Sequence, residues 1–390
     1  MNPLKNKHFS ILSKKHALLP IFFYQHILTQ FILHSFSFIF IYFIEFTILH
    51  KNEAEVESDP GLTDFLECNR IEINKADSEG TTPFYIACES RYIEIVKLLL
   101  NDKRVDINTA NKYDQTPFYI ACENGHIESV KLLLNDTRVD INKKGNYGET
   151  PFYISCSQGH IEIVELFLND NRVDINQSDN NGATPFLIAC EIGHIEVVTL
   201  LLNNKRIVDI NETRKNRETP FYIACRNRHI EVVKILLNDL RVDVNKAAKY
   251  DRTPLHYACE NRHIDIVKLL LNDERVDINK ATNGGNTPFY IACWNRYIEI
   301  VKFLLNDERI DINKANNDGW TPFWIACENG LIEIVKLLLN DERMVDINKA
   351  DNYGGITSFF IACQNGHIEI VKLLLNDNRV DINKVEKDGW

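Results

Sequence analysis

The apolar residues Ile127, Val130, Leu133 and Leu134 recur at intervals of three, four and seven, which predicts an amphipathic helix beginning near His126. Upstream, PFYIACE (Pro117–Glu123) predicts a shorter first helix. Thr116 can cap its free N–H groups, and Pro117 is tolerated in a first helical turn. Asn124-Gly125 breaks that helix. Ahead of it, VDIN (Val105–Asn108) alternates apolar and polar and predicts a short extended segment, followed by a polar turn over Thr109–Gln115. Asn135 directly follows the leucine run, where a left-handed residue is expected to end the second helix.

The same phrase recurs along the chain. TPFYIAC at Thr82–Cys88 returns at Thr116, with variants at Thr150, Thr184, Thr219, Thr253, Thr287, Thr321 and Thr357, spaced by 34 to 36 residues. A fixed period of this size is the signature of a solenoid. One unit is too small to bury its own apolar face, so stacking supplies the core, and the product is a long surface rather than one enclosed pocket.

These words, best seen in TPLHYAC at Thr253–Cys259, together with Gly-His and a paired-leucine helix, resemble the ankyrin repeat over about residues 61–390. The resemblance implies an all-α solenoid with short β-hairpins, each unit a hairpin and two antiparallel helices, stacked into a curved array. It also implies a non-catalytic scaffold or adaptor for other proteins. The departures are local. Ile207 and Met344 look like single-residue insertions, Gly354–Ile356 lengthens one hairpin, and Ser358 replaces a helix-starting proline, so the stack is expected to be least regular around Met344–Phe359.

The organisation read from the chain is an apolar leader (residues 1–59) and a repeat array (residues 60–390). The array comprises a partial cap over Leu62–Asn74, nine full repeats over about residues 75–384, and the start of a tenth over Val385–Trp390. Ala17–Ile44 carries no Asp, Glu, Lys or Arg and is long enough to span a bilayer. A membrane-anchored protein is therefore the alternative to a cytoplasmic one. A start codon placed too far upstream would give the same segment. The stop at Trp390, where another repeat should begin, raises a further alternative: the targeting arm of a larger enzyme.

Composition narrows the partners. Asp plus Glu is 55 against 44 Lys plus Arg, a net charge of -11. A nucleic-acid footprint needs a basic surface, so no nucleic-acid partner is expected. Nine of the ten cysteines share one slot of the repeat; only Cys68 does not. Equivalent positions in stacked helices lie roughly 10 Å apart, beyond the ~7 Å limit for a disulfide. No CxxC spacing suggests zinc. These thiols read as half-buried packing residues in a reducing compartment. Six histidines (His126, His160, His194, His229, His263, His367) recur one per unit and read as a polar start to the second helix. No phosphate loop, GxSxG or HExxH occurs. No catalytic residue, metal site or cofactor is expected, and the chain is expected to be a monomer.

In ankyrin arrays, partners meet the hairpin tips and the exposed end of the first helix. After the cysteine, Glu is the commonest first residue and Asn the commonest second, and the two occur together at Glu123-Asn124, Glu260-Asn261 and Glu328-Asn329. Against that background Arg226, Arg228, Tyr250, Arg252, Arg262, Trp294, Arg296 and Trp320 stand out. Aromatic and arginine side chains are the usual interface anchors. Arg228, Arg262 and Arg296 also replace the glycine of the Gly-His turn, where a left-handed conformation costs a non-glycine residue ~1 kcal/mol. These eight residues form the candidate site, expected to favour a protein partner with an acidic or mixed surface.

Overall fold

The computed structural model describes residues 72–384. The apolar stretch Ala17–Ile44, most of the partial cap at Leu62–Asn74, Cys68 and the start of a tenth repeat lie outside the described residues. The described residues divide into two compact units, one ending at Asp174 and the other starting at Ile175.

Among the described residues the first unit holds three helix pairs: α1 (Pro83–Glu89) with α2 (Ile93–Asn101), α3 (Pro117–Glu123) with α4 (Ile127–Asn135), and α5 (Pro151–Gln158) with α6 (Ile161–Leu168). The second holds six: α7 (Pro185–Ile192) with α8 (Ile195–Asn203), α9 (Pro220–Arg226) with α10 (Ile230–Leu237), α11 (Pro254–Glu260) with α12 (Ile264–Leu271), α13 (Pro288–Trp294) with α14 (Ile298–Leu305), α15 (Pro322–Glu328) with α16 (Ile332–Leu339), and α17 (Ser358–Gln364) with α18 (Ile368–Leu375). Within each unit the first helices pack on one another in sequence, and so do the second helices. Every first helix is started by its threonine, whose side chain accepts from a backbone N–H in the first turn. α17 forms without the proline because Thr357 still caps the N–H of Phe360 at 3.3 Å.

Stacking buries what one pair cannot. The large apolar residue after each helix-starting proline, such as Phe118, Leu255 and Phe289, is buried, as are Val267 and Leu270 on the inner face of α12. Each such side chain contributes roughly 1.5–3 kcal/mol. The repeat cysteines are fully buried rather than half-buried; Cys363 is the exception. They lie on the first helices, and burial raises the pKa of thiols such as Cys88, Cys190 and Cys225.

Polar side chains stitch neighbouring pairs together in three columns. Asn245 accepts from Asp277 N–H at 2.8 Å and donates to Arg275 O at 2.7 Å; Asn108 does the same to Asp140 and Arg138. Arg275 donates to Leu237 O at 2.6 Å, closing the end of α10, while held by Asp273 at 2.6 Å. That hydrogen bond keeps the Asp273 carboxyl below its usual range. Turn-start histidines reach back one repeat: His160 Nε2 donates to Glu123 O and His229 Nε2 to Glu191 O, both at 2.8 Å.

Several expectations change. No strand occurs among the described residues: VDIN is bent, and each tip is closed by isolated hydrogen bonds such as Asn111 N–H to Gln115 O at 3.0 Å. Tips this short build no ladder. The asparagines after the leucine runs are not left-handed; Asn238 and Asn272 keep helical angles and the following aspartate turns the chain. At the insertions, Ile207 and Met344 fill the buried slot, and it is Val208 and Val345 that are pushed into solvent.

Candidate partner-binding surface

In the second unit, Lys249–Asp251 forms a short 3-10 turn in which Tyr250 has φ 65° and Asp251 φ 56°. This left-handed tip holds the Tyr250 ring in solvent, 59% exposed. Two residues on, Arg252 pairs with Glu260 at the end of α11, 2.8 Å away. Trp294 is the last residue of α13, and its ring stacks on Tyr290 one turn earlier, with centroids 6.2 Å apart. Trp320 lies just before the Thr321 cap of α15 and stacks on Trp324 at 5.1 Å, the rings 4° from parallel. Tyr290 and Trp324 are both buried. Each surface tryptophan is thus backed by an inner aromatic ring.

Tyr250, Arg252, Trp294 and Trp320 line one open cleft of about 440 Å³, together with Glu260, Tyr290 and Asp318. Asp318 accepts from the Tyr353 hydroxyl at 2.6 Å. Burial, with help from Glu328 and Asp318, raises the Tyr290 hydroxyl pKa. Trp324 Nε1 donates to Ile356 O at 3.0 Å, whereas Trp320 Nε1 is buried without an acceptor. Glu260 and Asp318 are cleft residues that sequence reading passed over. Glu260 directly follows the repeat cysteine, where Glu is common, and Asp318 lies at a hairpin tip next to Gly319.

The other four candidates lie elsewhere. Arg226 is drawn into a partly buried network, paired with Glu218 and with Glu191, which Arg214 also holds at 2.9 Å. Arg228, Arg262 and Arg296 have φ of 60°, 57° and 63°, so they do stand in the left-handed turn between paired helices. Arg228 pairs with Asp265 at 2.9 Å. Arg262 and Arg296 are exposed and line a separate depression of about 530 Å³ with Tyr297 and Lys302. Arg91 shares this conformation in the first unit. The position expects glycine for a second reason. A Cβ on Gly193 would lie 2.5 Å from the His229 ring, and one on Gly330 2.7 Å from the His367 ring.

The cleft offers shape and aromatic surface, not an obvious reacting group. Among the described residues no group of three or more His, Cys, Asp or Glu is placed to hold a metal ion. A family model described as ankyrin repeats (3 copies) matches the chain over residues 54–145, 104–179, 135–213, 152–248, 206–282, 240–316 and 308–386. The chain belongs to the ankyrin-repeat family. No curated protein matches it. Ankyrin repeats are in general protein–protein interaction modules, and this array places an aromatic cleft where the first helices meet the tips.

Proposed function

We propose that this ankyrin array is a non-catalytic scaffold or adaptor, and that a protein partner docks on the second unit across the cleft between Tyr250 and Trp320. The observation that carries the reading is the backing of Trp294 by Tyr290 and of Trp320 by Trp324. Rings held in place lose little entropy on binding, and such anchors are where interface energy concentrates. The partner surface is of mixed charge, since the cleft brings Arg252, Glu260 and Asp318 together. Arg262 and Arg296, just past the ends of α11 and α13, extend the contact for a larger partner. Among the described residues no helix is long and apolar enough to cross a membrane.

The test is capture from native extract with the full chain as bait, beside a Trp294→Ala, Trp320→Ala variant. A specific protein retained by the parent and lost by the folded variant is expected. Equal retention by both would move the partner to another face.

A further inference from the structure

The cleft has a chemistry of its own beyond being aromatic. Trp294 and Trp320 each stack on an inner ring and both line the cleft, so an open ring face is what they can offer a ligand there. Such a face carries the negative end of the ring quadrupole and attracts cations, tryptophan most strongly. The charged lining is two carboxylates, Glu260 and Asp318, against one guanidinium, Arg252. Arg252 is already paired with Glu260 at 2.8 Å, so it has little attraction left for an anion. Among the described residues Asp318 is paired with no cation; its neighbours are the neutral Tyr353 hydroxyl and Asn316. A chain with a net charge of -11 adds a long-range field of the same sign.

We propose that the cleft receives a cationic side chain, an arginine carried on an extended segment of the partner protein, laid against the open tryptophan faces and paired with Asp318. Arginine fits better than lysine because its planar guanidinium stacks on an aromatic face while still donating to a carboxylate. Asn283 and Asn286 line the same cleft, and their amides can meet the polar backbone of an extended segment. Within the lining an acidic segment would face Asp318 with only the already paired Arg252 to meet it; Lys249 lies over the Tyr250 ring, outside the lining. An apolar one would strip water from the carboxylates without replacing it. This inference rests on the docking site proposed above.

The experiment uses the full chain and short dye-labelled peptide pools, random except for a fixed central arginine, glutamate or leucine, read by fluorescence anisotropy. The arginine-centred pool is expected to bind about tenfold or more tighter than the other two. Its advantage should fall in Asp318→Asn and vanish in Trp294→Ala, and survive in part in Trp294→Phe. Thermal melts confirm that each variant is folded. A glutamate or leucine preference that is lost in Trp294→Ala would overturn the cation inference and leave the docking site standing. Binding of no pool, or binding indifferent to Trp294→Ala, would overturn both.

Discussion

His256 stands where Tyr85, Tyr119, Tyr153, Tyr222 and Tyr290 stand in other units. Its Nδ1 accepts from Thr253 N–H at 3.1 Å and its Nε2–H donates to Asn286 O at 3.0 Å, which fixes the neutral ring. Burial lowers its pKa from 6.5 to about 4. Between those values the unfolded chain binds the proton and the folded chain does not. The contribution of His256 is therefore full above pH 6.5 and is lost as pH falls towards 4, at a cost approaching ~3 kcal/mol. Urea denaturation of His256→Tyr is expected to show a weaker loss of stability between about pH 7 and pH 4.5 than the parent. Parallel profiles would mean that other groups set the acid limit. Arg262 allows a second test at this scale. Removing its left-handed strain, roughly 1–2 kcal/mol, outweighs the ~0.5–1 kcal/mol entropic cost of glycine. Arg262→Gly should raise the denaturation midpoint slightly; a lower midpoint would mean that this side chain stabilises its turn.

At the scale of the element, the asparagine column holds one linker to the next. Asn245→Ala leaves Asp277 N–H and Arg275 C=O without their partner. Because water reaches part of the site, ~1–2 kcal/mol of destabilisation is expected rather than the full cost of two buried groups. A change under a few tenths, by urea denaturation, would show that water replaces the side chain. Helix limits were legible because Thr-Pro caps and leucine spacing are local signals: Pro117–Glu123 forms over the residues expected. The stitches were not legible. Asn245 bonds to residues 30 and 32 positions away and His229 to one 38 positions back, so only the stack brings the partners together. The candidate site was half legible for the same reason. Tyr250, Arg252, Trp294 and Trp320 converge on one cleft. Arg226 looked like a surface anchor until Glu191 and Glu218 were folded against it.

At the scale of the whole molecule, each helix pair of a repeat stack draws its protection from its neighbours, so burial of one repeated residue reports how well each pair is covered. The cysteines supply that probe. Cys259, Cys293 and Cys327 are buried, with thiol pKa values raised by burial, whereas Cys363 in α17 is exposed. Nearby, Ile368, Leu375 and Ile382 are also more than half exposed. Thiolate fraction and access together set alkylation rate. Under native conditions Cys363 should react with iodoacetamide first among the described cysteines. The buried thiols wait for local opening, and every ~1.4 kcal/mol of opening free energy slows them about tenfold. Peptide mass spectrometry resolves each site, including Cys68, on one time course. Cys363 labelling within the slow group would mean that its helix pair is covered in solution by another surface. The interior cysteines labelling at the Cys363 rate would mean that the stack opens far more readily than its buried phenylalanines and polar stitches require.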